Sequence, residues 1–121
     1  MISDYKFGEI IINGKTYNHD VEVRSSGEVL DWWREEGHIF ALADLARALE
    51  QKPGIVILGT GVYGEAQVNK DVEDELKKRN IELIIEKTSQ AVEIFNQKVA
   101  KNNQLNGEAG QKIIGLFHLT C

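Results

Sequence analysis

The sequence predicts a layered α/β domain with a mixed central β-sheet, an N-terminal β-hairpin and a βαβ crossover. Three observations predict it. Residues 55–58, Ile-Val-Ile-Leu, form an unbroken apolar run, as in a strand covered on both faces. A helical pattern and a second apolar run at 81–85 follow, the order of a right-handed parallel crossover. Ahead of both, Asn13-Gly14 separates two strand-like segments, and both residue types accept the positive φ of a tight type I′ turn.

Taken in order, residues 9–12 and 15–18 are the arms of that hairpin. Val21 and Val23 alternate with Glu22 and Arg24, which predicts a half-buried strand. Ser25-Ser26-Gly27 is a turn, Glu28–Trp33 a short strand and Arg34–His38 a loop. Leu42, Leu45, Ala46 and Leu49 recur at helical spacing, and Lys52-Pro53-Gly54 ends that helix. The next helix is bracketed by its charges. Asn69 is a favoured N-cap, Asp71, Glu73 and Asp74 fall in the first turn, Lys77, Lys78 and Arg79 in the last, and Asn80 suits a left-handed C′ position. Thr88 or Ser89 can cap a third helix carrying Ala91, Val92, Phe95 and Val99; a polar loop at 102–111 and a strand at 112–119 complete the chain. The hairpin must join as an antiparallel edge or as a small second sheet.

The totals fit one domain over residues 1–121, with 42% apolar and 27% charged residues. No apolar run reaches the ~20 residues of a membrane span, and the N-terminus lacks the pattern of a signal peptide. The expectation is a cytoplasmic protein without membrane contact. Fourteen basic against 19 acidic residues give a net charge of −5, which argues against nucleic acid as a partner. The one cysteine, Cys121, excludes an intrachain disulfide.

Residues 59–64, Gly-Thr-Gly-Val-Tyr-Gly, have the spacing of a dinucleotide fingerprint, and Glu86 stands where an acidic ribose ligand would be expected. In such a site the helix begins inside the glycine motif, so that its N-terminus faces the phosphate. The caps here start the helix near residue 70, with acids in its first turn. The motif therefore reads as a glycine turn at the carboxyl end of a central strand. It either meets another small ligand or anion, as open α/β sheets do beyond such strand ends, or serves the backbone alone.

The segments YKFGEIIINGKTYNHDV, DWWREEGH, IVILGTGVYG, IEL…T…A…FN and the closing FHLTC resemble the adipogenesis-associated Mth-domain family over nearly the whole chain. Residues 102–111 depart from the family's shorter turn. The resemblance implies a three-layer α/β fold whose mixed central sheet has one strand antiparallel to the rest. It implies no established enzyme activity. Eukaryotic relatives are linked to assembly of the mitochondrial NADH:ubiquinone oxidoreductase and to fat-cell differentiation. With no mitochondrial presequence apparent, the chain is expected to resemble a free-standing prokaryotic-type or cytosolic member.

Other residues carry weaker signals. Trp32 and Trp33, adjacent on a strand, would face opposite ways, one into the core and one outward or into a cleft; beside Arg34 they could read a planar or anionic ligand. His38 could act as an acid or base, or bond backbone. His118 and Cys121 would point to opposite faces of a strand and complete no metal set. His19-Asp20 lacks a third partner for a triad. The expectation is a non-catalytic binding or assembly module. Its tentative ligand residues are Gly59, Thr60, Gly61, Tyr63, Gly64 and Thr88, with Trp33, Arg34 and His38; no catalytic residue, metal or cofactor is assigned. Its partner is a protein or a small anionic ligand, with oligomeric state left open. The alternative is an enzyme or cofactor binder holding a small anion or nucleotide at the same loop.

Overall fold

The computed structural model describes residues 1–104 and 111–121. The chain opens with three short antiparallel strands, β1 (Ile2–Lys6), β2 (Glu9–Ile12) and β3 (Lys15–Tyr17), which form their own sheet in that order. Asn13 at φ 51° and Gly14 at φ 81° make the expected turn between β2 and β3. The hairpin thus belongs to a small second sheet, and it gains β1, which the polar segment Ser3-Asp4 conceals in the sequence.

Next come β4 (Val21–Arg24), β5 (Val29–Asp31) and the two-residue β6 (Ile39–Phe40), then a 3₁₀ turn at Leu42–Leu45 leading into α1 (Ala46–Glu50). The crossover follows as β7 (Ile55–Thr60), β8 (Gln67–Val68), α2 (Lys70–Lys78) and β9 (Glu82–Glu86). The chain closes with α3 (Thr88–Gln104) and β10 (Ile113–His118). Of the loop expected at 102–111, residues 102–104 lie in α3, and 105–110 fall outside the described residues.

The central sheet runs β5-β4-β10-β7-β9. β10, β7 and β9 are mutually parallel, β4 is antiparallel to β10, and β5 is antiparallel to β4. β4 alone therefore opposes the rest. Ile55, Ile57, Ile113 and Phe117 point to one face, where they meet α3 and the three-stranded sheet. Val56, Leu58, Ile114 and Leu116 point to the other, where they meet α1, α2, Trp32 and Phe40. These are the three layers.

Three local expectations change. The strand β4 is covered on both faces: Val21 and Val23 are buried, and so is Glu22, which receives Arg24 at 2.8 Å and Arg47 at 3.0 Å. Burying a carboxylate is tolerable because two guanidiniums pair with it. In the first helix, the 3₁₀ turn shifts the phase, so Ala48 rather than Ala46 joins Leu45 and Leu49 in the core. Thr88 is the first residue of α3, not its cap; its hydroxyl is engaged elsewhere, as described below. By contrast, α2 starts after Asn69 and ends before Asn80, whose φ is 58°.

Candidate functional site

The glycine turn closes β7, and the chain itself fills it. Gly61 has φ +101°, and a Cβ there would stand 2.6 Å from the Thr120 carbonyl oxygen. A Cβ on Gly59 would stand 2.8 Å from the Thr88 hydroxyl and 3.1 Å from the Phe117 ring. The glycines thus let residues 117–121 and the start of α3 lie against the end of β7. Thr88 Oγ1 is fully buried; it accepts from the Gly61 amide at 2.8 Å and donates to the His118 carbonyl at 2.6 Å. Thr60 Oγ1 donates to the Glu86 carbonyl at 3.1 Å, and the Val62 amide donates to the Thr120 carbonyl at 2.8 Å. Helix α2 begins only at Lys70, after the N-cap Asn69, so the glycine motif does not open it. Of the remaining loop residues, Tyr63 is 66% exposed, and Gly64, at φ +70°, packs near the Lys87 stem.

Arg34 leads to the same strand end from another side. Its guanidinium donates to Asp20 Oδ2 at 2.7 Å and to the Gly37 carbonyl at 2.9 Å, and it lies 4.5 Å from the Trp32 ring and 4.9 Å from the Phe40 ring. The side chain is only 4% exposed. Its Nε is buried and has no hydrogen-bond partner among the described residues. Asp20 Oδ2 is also 2.7 Å from His118 Nδ1, and Oδ1 accepts from the Leu119 amide at 2.8 Å. Burial raises the Asp20 pKa, but the bonds from His118, the Leu119 amide and Arg34 outweigh it and hold the carboxyl below its ordinary value. His118 Nδ1 lies 3.0 Å from Arg34 Nη2 as well. It can donate to the carboxylate or accept from the guanidinium, not both, and the ionised Asp20 favours donation.

His38 is exposed, with its ring 6.2 Å from that of His118 and its Nε2 4.0 Å from Cys121 Sγ. The opposed facing expected of His118 and Cys121 does not apply, because β10 ends at His118 and Cys121 lies beyond the pleat. Among the described residues, no group of three or more His, Cys, Asp or Glu side chains is placed to hold a metal. Asp20 pairs with His118 across the fold, while its neighbour His19 lies 3.3 Å from Asp31. Ninety-eight positions separate Asp20 from His118, and no spacing rule reaches that far.

Trp33 goes its own way. It is 78% exposed, beside Trp32 at 5%, so the two tryptophans divide as expected although neither lies in the strand. The Trp33 side chain lines a surface groove of about 610 Å³ with Asp31, Glu35, Ala43, Arg47 and Glu50. It also borders a second groove of about 330 Å³ that reaches His19, Asp20 and Arg34. Arg34, His38, Thr88 and the glycine turn gather around the end of β10; Trp33 meets Arg34 along the second groove and also faces the groove above α1.

A family model described as a protein of unknown function (DUF498/DUF598) matches residues 2–107. Three solved structures share the architecture. A conserved hypothetical protein from Pyrococcus horikoshii OT3 superposes with TM-score 0.83 at 21% identity, covering 100% of this chain and 99% of that one. A protein designated MT938 gives TM-score 0.77 at 26% identity, with 100% and 98% covered. A protein described as an outer membrane protein from Bartonella henselae gives 0.75 at 18%, with 99% and 94% covered. The first and third likenesses, below 25% identity, speak for the fold alone.

Proposed function

The chain belongs to the DUF498/DUF598 family of proteins of unknown function, and from that membership we propose that it is a non-catalytic binding or assembly module. The observation that carries this reading is the engagement of its sheltered polar side chains. Asp20, Arg34, Thr60 and Thr88 each bond the chain's own backbone: Asp20 and Thr88 hold residues 118–119, Thr88 also the Gly61 amide, Thr60 the Glu86 carbonyl and Arg34 the Gly37 carbonyl. A nucleophile or general base needs a lone pair or proton facing a substrate. These groups direct their bonds to backbone at Gly37, Gly61, Glu86, His118 and Leu119 instead.

The finer resemblance to the adipogenesis-associated Mth-domain family supports the same reading, since the roles linked to its relatives are assembly and differentiation rather than chemistry. A cytoplasmic setting is part of the proposal; no described helix is long and apolar enough to cross a membrane.

Thermal shift against NAD, NADP, ATP, coenzyme A and inorganic phosphate tests the reading against the small-ligand alternative. The expected result is an unchanged melting temperature. A ligand at 100 times its dissociation constant would add about 2.7 kcal/mol; a concentration-dependent rise with NAD, NADP, ATP or coenzyme A overturns the module reading in favour of a cofactor binder, whereas a rise with phosphate alone gives the module an anionic ligand.

A further inference from the structure

Resting on that reading, we infer that the Trp33 groove docks a lysine- or arginine-bearing segment of a partner protein. Trp33 is the most exposed of the large apolar side chains described, and it stands at the rim of a concave surface rather than on a flat one. An indole so placed is the residue type that dominates binding energy at protein interfaces. Its face attracts a cation, and its edge packs against the aliphatic stem of a long basic side chain.

The charge around it selects the occupant. Asp31, Glu35, Asp44 and Glu50 line the groove together with Glu22, against one cation, Arg47. Glu22 is already satisfied by Arg24 and Arg47, and Asp44 Oδ2 accepts from the Ala41 amide at 2.8 Å, which leaves Asp31, Glu35 and Glu50 for a partner. The Asp31 side chain is 84% exposed and meets only His19 among the described ion pairs. Glu35 and Glu50 are exposed and take part in none of them. Ala43 and Ala46 add small apolar surface to the same groove. A basic segment places its cations on these acids and its apolar stems on Trp33 and the alanines. A second copy fits poorly, because a two-fold contact through this face sets acids against acids in a chain of net charge −5.

The probe is a short fluorescein-labelled lysine–leucine peptide, with a glutamate–leucine twin as control, titrated into the full chain. Anisotropy reads affinity, and amide and indole N–H spectra read location. The expected result is binding of the basic peptide alone, weakened by added salt. Trp33→Ala, and separately the E35K/E50K pair, should weaken it about tenfold or more. The indole signal lost in Trp33→Ala should be the one the peptide shifts. No binding of the basic peptide, equal binding of the twin, or shifts centred away from Trp33 overturns the assignment. A dimer dispersed by Trp33→Ala gives the face to a second copy and overturns it too. None of these outcomes touches the module reading, which falls only to stabilisation by NAD, NADP, ATP or coenzyme A.

Discussion

The buried hydroxyl of Thr88 accepts a 2.8 Å hydrogen bond from the amide of Gly61, and so ties the first residue of α3 to the turn after β7. The same hydroxyl donates to the His118 carbonyl, so one oxygen joins three segments. Thr88→Val keeps the shape and deletes both bonds, leaving a buried amide and a buried carbonyl unpaired. The expected loss is about 2–4 kcal/mol, measured by denaturant unfolding. Thr88→Ser retains the oxygen and should lose clearly less; equal losses would show that the methyl, not the hydroxyl, matters.

Gly61 and Gly8 separate strain from contact. Both have positive φ, but a Cβ on Gly8 meets none of the described residues within 4 Å, whereas on Gly61 it meets the Thr120 and Cys121 carbonyl oxygens. Gly8→Ala should cost about 1–2 kcal/mol from the left-handed backbone alone. Gly61→Ala should cost about 1–3 kcal/mol more, as overpacking does. Melts of the two variants check this, and similar values would mean that residues 120–121 yield without penalty.

Asp20 contributes pH-dependent stability. Its folded pKa lies below the ordinary value of 3.8, so its contribution is complete above that value and is lost as pH falls through the folded one. Asp20→Asn should cost about 2–4 kcal/mol at neutral pH, somewhat under a fully buried pair because the carboxylate keeps some solvent contact. The gap between wild type and Asp20→Asn should narrow as the pH drops below the ordinary carboxylate range. A gap constant down to strong acid would remove Asp20 as the titrating group.

Trp33→Ala should leave stability within about 0.5 kcal/mol of wild type, as exposed substitutions usually do. It should also remove the acrylamide-quenchable part of the tryptophan emission, since Trp32 is buried and its indole N–H donates to the Asp44 carbonyl at 3.0 Å. Quenching that persists in the variant would place Trp32 within reach of solvent.

Much of the layering was legible because its signals are local. The run at 55–58, the caps of α2 and the Asn13-Gly14 turn each act within a few residues, and each lies where the pattern puts it. Glu22 is buried against the pattern because strand alternation assigns a face, not what covers it; the covering Arg47 arrives 25 positions later. Ala46 faces outward because a 3₁₀ turn has three residues per turn, which slips the phase of the stripe. Around the candidate site, Arg34, His38, Thr88 and the glycine turn were visible as residue types. What binds them together, Asp20 and the end of β10, depends on pairings across nearly the whole chain.

The position of β4 also has a consequence for biosynthesis. Its partners are β5 beside it and β10 near the end of the sequence. At about 5–20 residues per second on the ribosome, the roughly 90 residues between them take some 5–20 s to appear. Until then β4 presents an unpaired backbone edge flanked by Val21 and Val23, and β1–β3 have no Leu119 carbonyl to receive Tyr5 and Gly8. The sheet can close only after its last strand has left the ribosome, so the nascent chain depends during that interval on whatever shields an open strand edge.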